Sequence, residues 1–228
     1  MIGIIGAMDI EVDSIKALLS EKSQTTVSGI TFIKGKYKKE DVVVAKCGVG
    51  KVFSALCTEA MILTFSPDMI INVGVAGALD KRLKIGDVVI ASGVVQHDMD
   101  TSPLGDPIGL LSGIDKVEIS SDEDIVSRLC DAAKSVGVCY TVGTIATGDQ
   151  FVASDNTKQF IIDNFGAVSC EMEGGACGQV CYVNKVPFCV LRTMSDQADG
   201  NASVDFPTLC KMASENNTGI VKAFLEGF

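Results

Sequence analysis

Short apolar runs that fit buried strands alternate along this chain with segments of helical periodicity. The runs Ile2–Met8, Met69–Val75 and Pro187–Met194 are apolar almost throughout, as expected of strands covered on both faces. The pattern predicts an α/β fold of three layers, α/β/α, with a central mixed, mostly parallel twisted sheet. The 228 residues suit one domain, 1–228, since no linker, repeat or low-complexity tract divides them.

The other predicted elements follow from periodicity and turn residues. A short hairpin is predicted from Thr31–Lys38 and Asp41–Lys46, and further strands from Asp87–Gln96 and Cys139–Thr147. Helices are predicted at about residues 10–20 with Asp9 as cap, at 52–65, from a Ser120-to-Glu123 capping box to about 136, and at 157–164, 171–183 and 206–226. Residues 101–115 carry three glycines and two prolines and are predicted to be a loop.

The charge balance argues against anionic partners. The formal net charge is −10, and the only arginines are Arg82, Arg128 and Arg192. A cluster of lysines from Lys34 to Lys39 flanks a turn, which is typical of a solvated hairpin edge. We therefore predict no binding to nucleic acid or to an anionic membrane surface. The longest apolar runs are also too short to span a bilayer.

The cysteines and the N-terminus predict a reduced, cytoplasmic protein. Nine cysteines occur at irregular spacings without a Cys-x-x-Cys pair, and the chain has one histidine. A zinc site is thus disfavoured, and we predict neither a metal nor another cofactor. The first residues lack a cationic segment and a cleavage site, so they are interpreted as a strand.

Acidic residues follow several of the predicted strands. Glu11, Asp149 and Asp196 come directly after apolar runs, and Glu171 and Glu173 open a predicted helix. Functional groups of parallel sheets gather at the carboxyl ends of the strands. A Glu at a helix start is ordinarily a partner of the helix dipole, so both interpretations stay open for each acid alone.

Glycines within the predicted helix that starts at Glu171 have two explanations. Gly174 and Gly175 cost up to about 1 kcal/mol each relative to alanine in a helix. Either a ligand approaches the helix there, or the helix packs tightly on the sheet, and the residues alone favour neither.

The ordered motifs carry a family resemblance. They are Ile2–Val12, Cys47–Lys51, Ile71–Gly77, Leu83–Val89, His97-Asp98, Gly148–Phe151, Glu171–Glu173 and Arg192–Asp196. Together they resemble the 5′-methylthioadenosine/S-adenosylhomocysteine nucleosidases of the purine nucleoside phosphorylase superfamily. Each motif alone is weak, whereas the ordered set covers nearly the whole chain and is highly specific.

The resemblance implies the roles of the site residues. Glu11 would activate water, Asp196 would protonate adenine N7, and Glu173 would bind the ribose hydroxyls. The remaining contacts implied for the substrate, the water and the acid are those of Met8, Val49, Val75, Phe151, Val152, Met172, Arg192, Ser195 and Phe206.

The resemblance also implies a homodimer. Residues near Thr101 and Leu104 would reach into the partner's site. Val75 stands where family members often have serine, and Leu104 stands where an aromatic residue is common. His97 lies outside the acid set and is expected to be structural.

The implied reaction explains why acids are needed. Cleavage of an N-glycosidic bond makes the sugar carbon oxocarbenium-like, which favours negative charge nearby. Adenine leaves well only when protonated, so Asp196 must carry a proton while Glu11 is ionised. The implied substrates are 5′-methylthioadenosine, S-adenosylhomocysteine and 5′-deoxyadenosine, and the products are adenine and the 5-substituted ribose.

Three alternatives remain at this stage. A phosphorylase would need arginines for phosphate, and none precedes Arg82, so water is the favoured nucleophile. A futalosine-type hydrolase is hard to separate, because an acid at N7 fits either purine. A non-catalytic storage protein on the same fold would not need all three acids.

Overall fold

The computed structural model describes residues 1–196, 198 and 206–227, including their side chains except those of 206 and 207. The strands are β1 (Ile2–Gly6), β2 (Ser20–Val27), β3 (Ile30–Tyr37), β4 (Glu40–Lys46), β5 (Met69–Ala78), β6 (Val88–Gln96), β7 (Glu118–Ser120), β8 (Tyr140–Thr147), β9 (Ser169–Glu171) and β10 (Phe188–Asp196). The helices are α1 (Asp9–Leu18), α2 (Lys51–Phe65), α3 (Glu123–Ser135), α4 (Asp155–Phe165), α5 (Gly174–Asn184) and α6 (Phe206–Glu226), with a short 3-10 turn at Ser102–Leu104.

Strand β5 lies at the centre of one mixed sheet. It pairs in parallel with β1 and β10, and its last residues pair antiparallel with β9. Beyond β1 the sheet continues through β4, β3 and β2. On the other side β10, β6, β8 and β9 return to β5, so that these five strands close on themselves. The carboxyl ends of β1, β5 and β10 therefore lie side by side.

Two apolar cores cover the opposite faces of the sheet. Helices α1, α3 and α6 bury one face, with Ile15, Leu129 and Phe224 among the fully enclosed side chains. Helices α2 and α5 bury the other face, with Met61 and Cys177 at its centre. This arrangement confirms the three-layer α/β/α fold with a mixed sheet.

Several local predictions were wrong. Strand β2 follows α1 at once and consists of exposed polar residues except for Val27, so it has no apolar alternation to reveal it. The three-residue strands β7 and β9 are too short for any periodicity. Helix α3 is capped by Asp122, whose Oδ1 accepts from the Ile125 amide at 3.1 Å, and not by Ser120.

Helix α5 begins at Gly174, three residues later than predicted, because Ser169–Glu171 pairs as strand β9 instead. Its glycines serve close packing on the sheet. A Cβ on Gly175 would lie 2.9 Å from Thr147, and one on Gly178 would lie 2.7 Å from Val94 and 2.8 Å from the Phe188 ring. The packing explanation thus holds for this helix.

The part of the chain that the structure describes contains no helix long and apolar enough to cross a membrane.

Replacing Gly178 by alanine tests this packing. The added methyl group would overfill the α5–sheet contact, and we expect the free energy of unfolding to fall by about 1–3 kcal/mol. Gly219 in α6 is the matched control, because a Cβ there meets open space. Its replacement by alanine should instead raise stability by about 0.5–1 kcal/mol. Urea unfolding measures both changes, and equal signs would contradict this account of α5.

Candidate active site

A cavity of about 220 Å³ opens at the carboxyl ends of β1, β5 and β10. Ten of the residues singled out from the sequence line it: Met8, Glu11, Val49, Val75, Phe151, Val152, Met172, Glu173, Ser195 and Asp196. The three acids implied for catalysis therefore face one space, although they come from α1, from the turn before α5 and from the end of β10.

Glu11 is held by backbone amides from β5 and from the residues that follow β1. Its Oε2 accepts hydrogen bonds from the amides of Ala7 at 2.7 Å and Met8 at 2.9 Å, and its Oε1 accepts from the Val75 amide at 3.1 Å. Helix α1 begins at Asp9 with Met8 at the N-cap position, so Asp9 is not the cap predicted for it, and its Oδ2 instead accepts from Lys46 Nζ at 2.8 Å. Burial raises the pKa of Glu11, while Arg192 and the three amides oppose that rise.

Asp196 ends β10 as a buried carboxyl group. Its Oδ2 accepts from the Ser195 hydroxyl at 3.0 Å, and its Oδ1 accepts from the Ala198 amide at 2.8 Å. A Cβ on Gly77 would lie 3.0 Å from Oδ1, so the missing side chain there makes room for the acid beside β5. The Ser195 hydroxyl therefore contacts the Asp196 carboxyl group directly.

Glu173 lies at the N-cap position of α5 and is tied to α2. Its Oε1 accepts from the Gly50 amide at 2.8 Å, and its carbonyl accepts from the Ser54 hydroxyl at 3.0 Å. Burial and the neighbouring Glu171 raise the pKa of Glu173 to about 7, against the lowering effects of Arg192 and the Gly50 amide.

Arg192 does not line the cavity, and the support of the water and the acid that the resemblance implies for it stays a prediction. Its guanidinium is fully buried behind the lining and donates to the side chain of Glu171 and to Asn72 Oδ1 at 2.5 Å. Burial alone would lower the pKa of Arg192, but the carboxylates of Glu171, Glu173 and Glu11 raise it. The hydrogen bonds to Glu171 and Asn72 explain why the Arg192 side chain lies in the interior, behind the cavity lining.

Glu171 and Asn72 form the support that sequence reasoning missed. Glu171 Oε2 accepts from the amides of Glu173 at 3.0 Å and Gly174 at 2.7 Å, so one carboxylate fixes the turn that carries Glu173. Asn72 is fully buried in β5. A polar residue inside an otherwise apolar strand was the available signal for it.

The apolar residues for which the resemblance implies substrate contacts lie around the cavity. Val152 is buried, Met8, Val75 and Met172 are partly buried, and Phe151 is more than half exposed. Phe206 falls outside the described side chains. Thr101 and Leu104 do not line this chain's own cavity, and Leu104 is 84% exposed.

His97 is buried against the Gly148 backbone and does not line the cavity. Within the described residues, no group of histidine, cysteine, aspartate and glutamate side chains is arranged to hold a metal ion.

Comparison with known proteins agrees with the sequence motifs. The model of the phosphorylase superfamily matches residues 1–226. The chain is 37% identical over 227 residues to the 5′-methylthioadenosine/S-adenosylhomocysteine nucleosidase of Shewanella halifaxensis, covering 99% of this chain and 98% of that protein.

Solved structures are similar over the full length. A mutant of the Helicobacter pylori nucleosidase with 5′-methylthioadenosine in the active site superposes with a TM-score of 0.95 at 34% identity, covering 100% of this chain and 98% of that one. The futalosine hydrolase of Helicobacter pylori also superposes with a TM-score of 0.95, at 35% identity, covering 100% and 97%. The chain therefore belongs to the phosphorylase superfamily and, within it, to the family of the 5′-methylthioadenosine/S-adenosylhomocysteine nucleosidases.

Proposed function

We propose that this chain hydrolyses the N-glycosidic bond of 5′-methylthioadenosine, S-adenosylhomocysteine and 5′-deoxyadenosine, releasing adenine and the 5-substituted ribose. The observation that carries the proposal is that Glu11, Glu173 and Asp196 face one cavity from three different segments. The family match over residues 1–226 supports treating 1–228 as a single nucleosidase domain.

Glu11 and Asp196 contact β5 at two different positions, and the spacing between these positions suits attack by water. Glu11 is bound to the Val75 amide, and Asp196 lies beside Gly77, two residues further along the strand. Two residues of a strand span about 7 Å. Carboxyl groups that act as base and acid with a water molecule between them stand about 6.5–9.5 Å apart in inverting glycosidases. Water and the sugar carbon can thus lie between the Glu11 and Asp196 carboxyl groups, with the N7 edge of the adenine ring facing Asp196.

Each acid then has one task. Glu11 takes a proton from water, and burial strengthens it as a base while three amides hold its orientation. Asp196 gives its proton to adenine N7, and the Ser195 hydroxyl orients its carboxyl group. Glu173 accepts hydrogen bonds from the ribose hydroxyls, and its negative charge stabilises the oxocarbenium-like sugar.

Water is favoured over phosphate as the nucleophile by the charge of the cavity. Among the described residues that line it, none is a lysine or an arginine, whereas four are acids. Arg192 is the nearest guanidinium to these acids and is already paired with Glu171. A phosphate dianion would therefore meet repulsion without a bidentate partner.

A futalosine-type hydrolase is the second candidate. The Helicobacter pylori futalosine hydrolase is as similar to this chain as the nucleosidase of that organism. An assay of adenine release from 5′-methylthioadenosine in the presence of an inosine-type nucleoside separates the two candidate functions. The inosine-type nucleoside inhibits adenine release only if the site binds both bases.

A homodimer is the proposed assembly, with Thr101 and Leu104 completing the partner's site. An exposed apolar surface on α2 and α5 supports a second copy as its occupant, with Val52 77% and Leu63 72% exposed. Val49 at the cavity opening continues this surface, so a second copy packed on the surface would also close the substrate site. All nine cysteines are unpaired, which supports a reducing compartment such as the cytoplasm.

Asp196→Asn tests the acid. Asparagine cannot protonate adenine, so we expect kcat for adenine release from 5′-methylthioadenosine in phosphate-free buffer to fall by about 10²–10⁴-fold. Asp155→Asn, in the exposed first turn of α4, is the control and should stay near the wild-type rate. Release by the wild type that depends strictly on phosphate would reject the hydrolase.

The pH profile tests the ionised state of Glu173. Its pKa of about 7 means that it loses its charge as pH falls through neutrality. Because the neutral form cannot stabilise the sugar cation, kcat/KM should fall on the acid side with an apparent pKa near 7. Glu173→Gln should remove this limb, and a wild-type profile flat from pH 8 to about pH 5 would contradict the role.

The dimer is tested by placing charge on the apolar surface. Val52→Asp and Leu63→Asp should each shift the protein toward monomer in sedimentation equilibrium, with loss of activity at the same concentrations, since a buried unpaired carboxylate opposes association. Val136→Asp, an exposed apolar position at the end of α3, is the matched control. Dimers that persist in both surface variants would show that the interface lies elsewhere.

A further inference from the structure

Three residues that have no part in the proposed chemistry, one from each of three sequence motifs, meet at one point. The Lys51 amide donates to Asp149 Oδ1 at 2.8 Å, the Asp149 amide donates to Asp98 Oδ2 at 2.9 Å, and Lys51 Nζ donates to Asp98 Oδ1 at 2.7 Å. These bonds close a ring of three residues, called here the Lys51–Asp98–Asp149 ring. It joins the start of α2 to the segments that follow β6 and β8.

The ring supplies a cap that α2 otherwise lacks. The N-cap residue is Gly50, which has no side chain to accept from the free amides of the first turn. Asp149 accepts one of them from a different segment, and its charge suits the positive end of the helix dipole. Gly50 has a φ of 100°, and a Cβ there would lie 3.0 Å from Asp149 Oδ1, so glycine leaves room for this carboxylate.

The same turn of α2 holds the sugar-facing acid. Gly50 donates its amide to Glu173 Oε1 at 2.8 Å, and the next amide, that of Lys51, goes to Asp149. Two adjacent peptide groups therefore bind one carboxylate inside the cavity and one outside it.

Two of the ring's three side chains are confined, whereas Asp149 is exposed. The Lys51 and Asp98 side chains are both about four-fifths buried. His97 packs beneath the turn, since a Cβ on Gly148 would lie 2.3 Å from its Nε2. Burial by itself would raise the pKa of Asp98, but Lys51 and the Asp149 amide together lower it by more. The net shift of the pKa is downward, so Asp98 stays ionised.

We propose that Asp149 is a positioning residue that, through the first turn of α2, holds the Gly50 amide on the sugar-binding carboxylate of Glu173. The inference rests on the proposed function for the role of Glu173. It assigns a purpose to Lys51, Asp98 and Asp149, none of which touches the reacting atoms.

The test compares ligands with and without a sugar. Asp149→Ala, Asp149→Asn and the control Asp122→Ala are titrated with adenine and with the 7-deaza analogue of 5′-methylthioadenosine, which cannot be protonated at position 7 and resists hydrolysis. Asp122→Ala removes a cap of the same kind from α3. Both alanine variants should lower Tm to a similar extent, so thermal unfolding separates lost stability from lost positioning.

For Asp149→Ala we expect the Kd of the nucleoside analogue to rise by about tenfold or more, because a carboxylate loses an aligned donor. The Kd of adenine should change by less than about threefold, since Glu173 faces the sugar. Asp149→Asn retains an acceptor oxygen and should restore most of the nucleoside affinity. Asp122→Ala should leave both affinities unchanged.

The pH profile gives a second readout. Glu173 is faced by Glu171 from the preceding turn, Arg192 from β10, Glu11 from α1 and the Gly50 amide from α2. Losing the amide removes one of the two influences that lower its pKa. The acid limb of kcat/KM in Asp149→Ala should therefore move to higher pH, whereas Asp122→Ala should keep the wild-type limb.

Two results would overturn the proposal. Equal losses of adenine and nucleoside affinity in Asp149→Ala would mean that Asp149 acts through the neighbouring base-facing residues Phe151 and Val152. Unchanged nucleoside affinity would mean that the ring does not position Glu173. Both results come from the Kd titrations and need no turnover. They therefore decide the question even if the wild type fails to hydrolyse 5′-methylthioadenosine, a failure that would reject only the proposed function.

Discussion

The buried ion pair between Arg192 and Glu171 is the interaction on which the site depends. Taking an isolated charge out of water costs several kcal/mol, and the cavity region holds several carboxylates. Arg192 lies behind them and pairs with Glu171, while Asn72 accepts from the same guanidinium. Glu171 in turn accepts from the amides that open α5 and so fixes Glu173. One cation thereby connects β5, β10 and the turn between β9 and α5.

Backbone groups complete the site where side chains are missing. The central strand β5 has Gly74 where a Cβ would lie 2.7 Å from Glu11 Oε1, and Gly77 where one would lie 3.0 Å from Asp196 Oδ1. Both acids can therefore approach β5 closely. Glu11 accepts a hydrogen bond from the Val75 amide, and Asp196 lies beside Gly77. Their separation along β5 is set by the strand's rise per residue, which makes the distance between base and acid a property of the sheet rather than of flexible loops.

The fold could be predicted where burial leaves a pattern in the sequence. The apolar runs of β1, β5 and β10 and the periodic helices between strands indicated the layered α/β architecture. Strand β2 could not be recognised, because its pairing with β3 at an exposed edge demands no apolar face. The start of α5 was missed for a related reason: the pairing of Ser169–Glu171 with β5 and β8, and not local propensity, ends the preceding segment.

The sequence by itself determined the composition of the site: the acids at strand ends, the lack of arginine in the first 81 residues, and the ordered motifs of the family. Only the tertiary structure decided which of these groups meet. It placed Arg192 behind the cavity lining with Glu171 and Asn72 as its partners, and it brought Lys51, Asp98 and Asp149 into one ring. Residue types and order are local properties of a chain, whereas hydrogen bonds between residues 21 to 120 positions apart exist only once the sheet has set the distances between its strands.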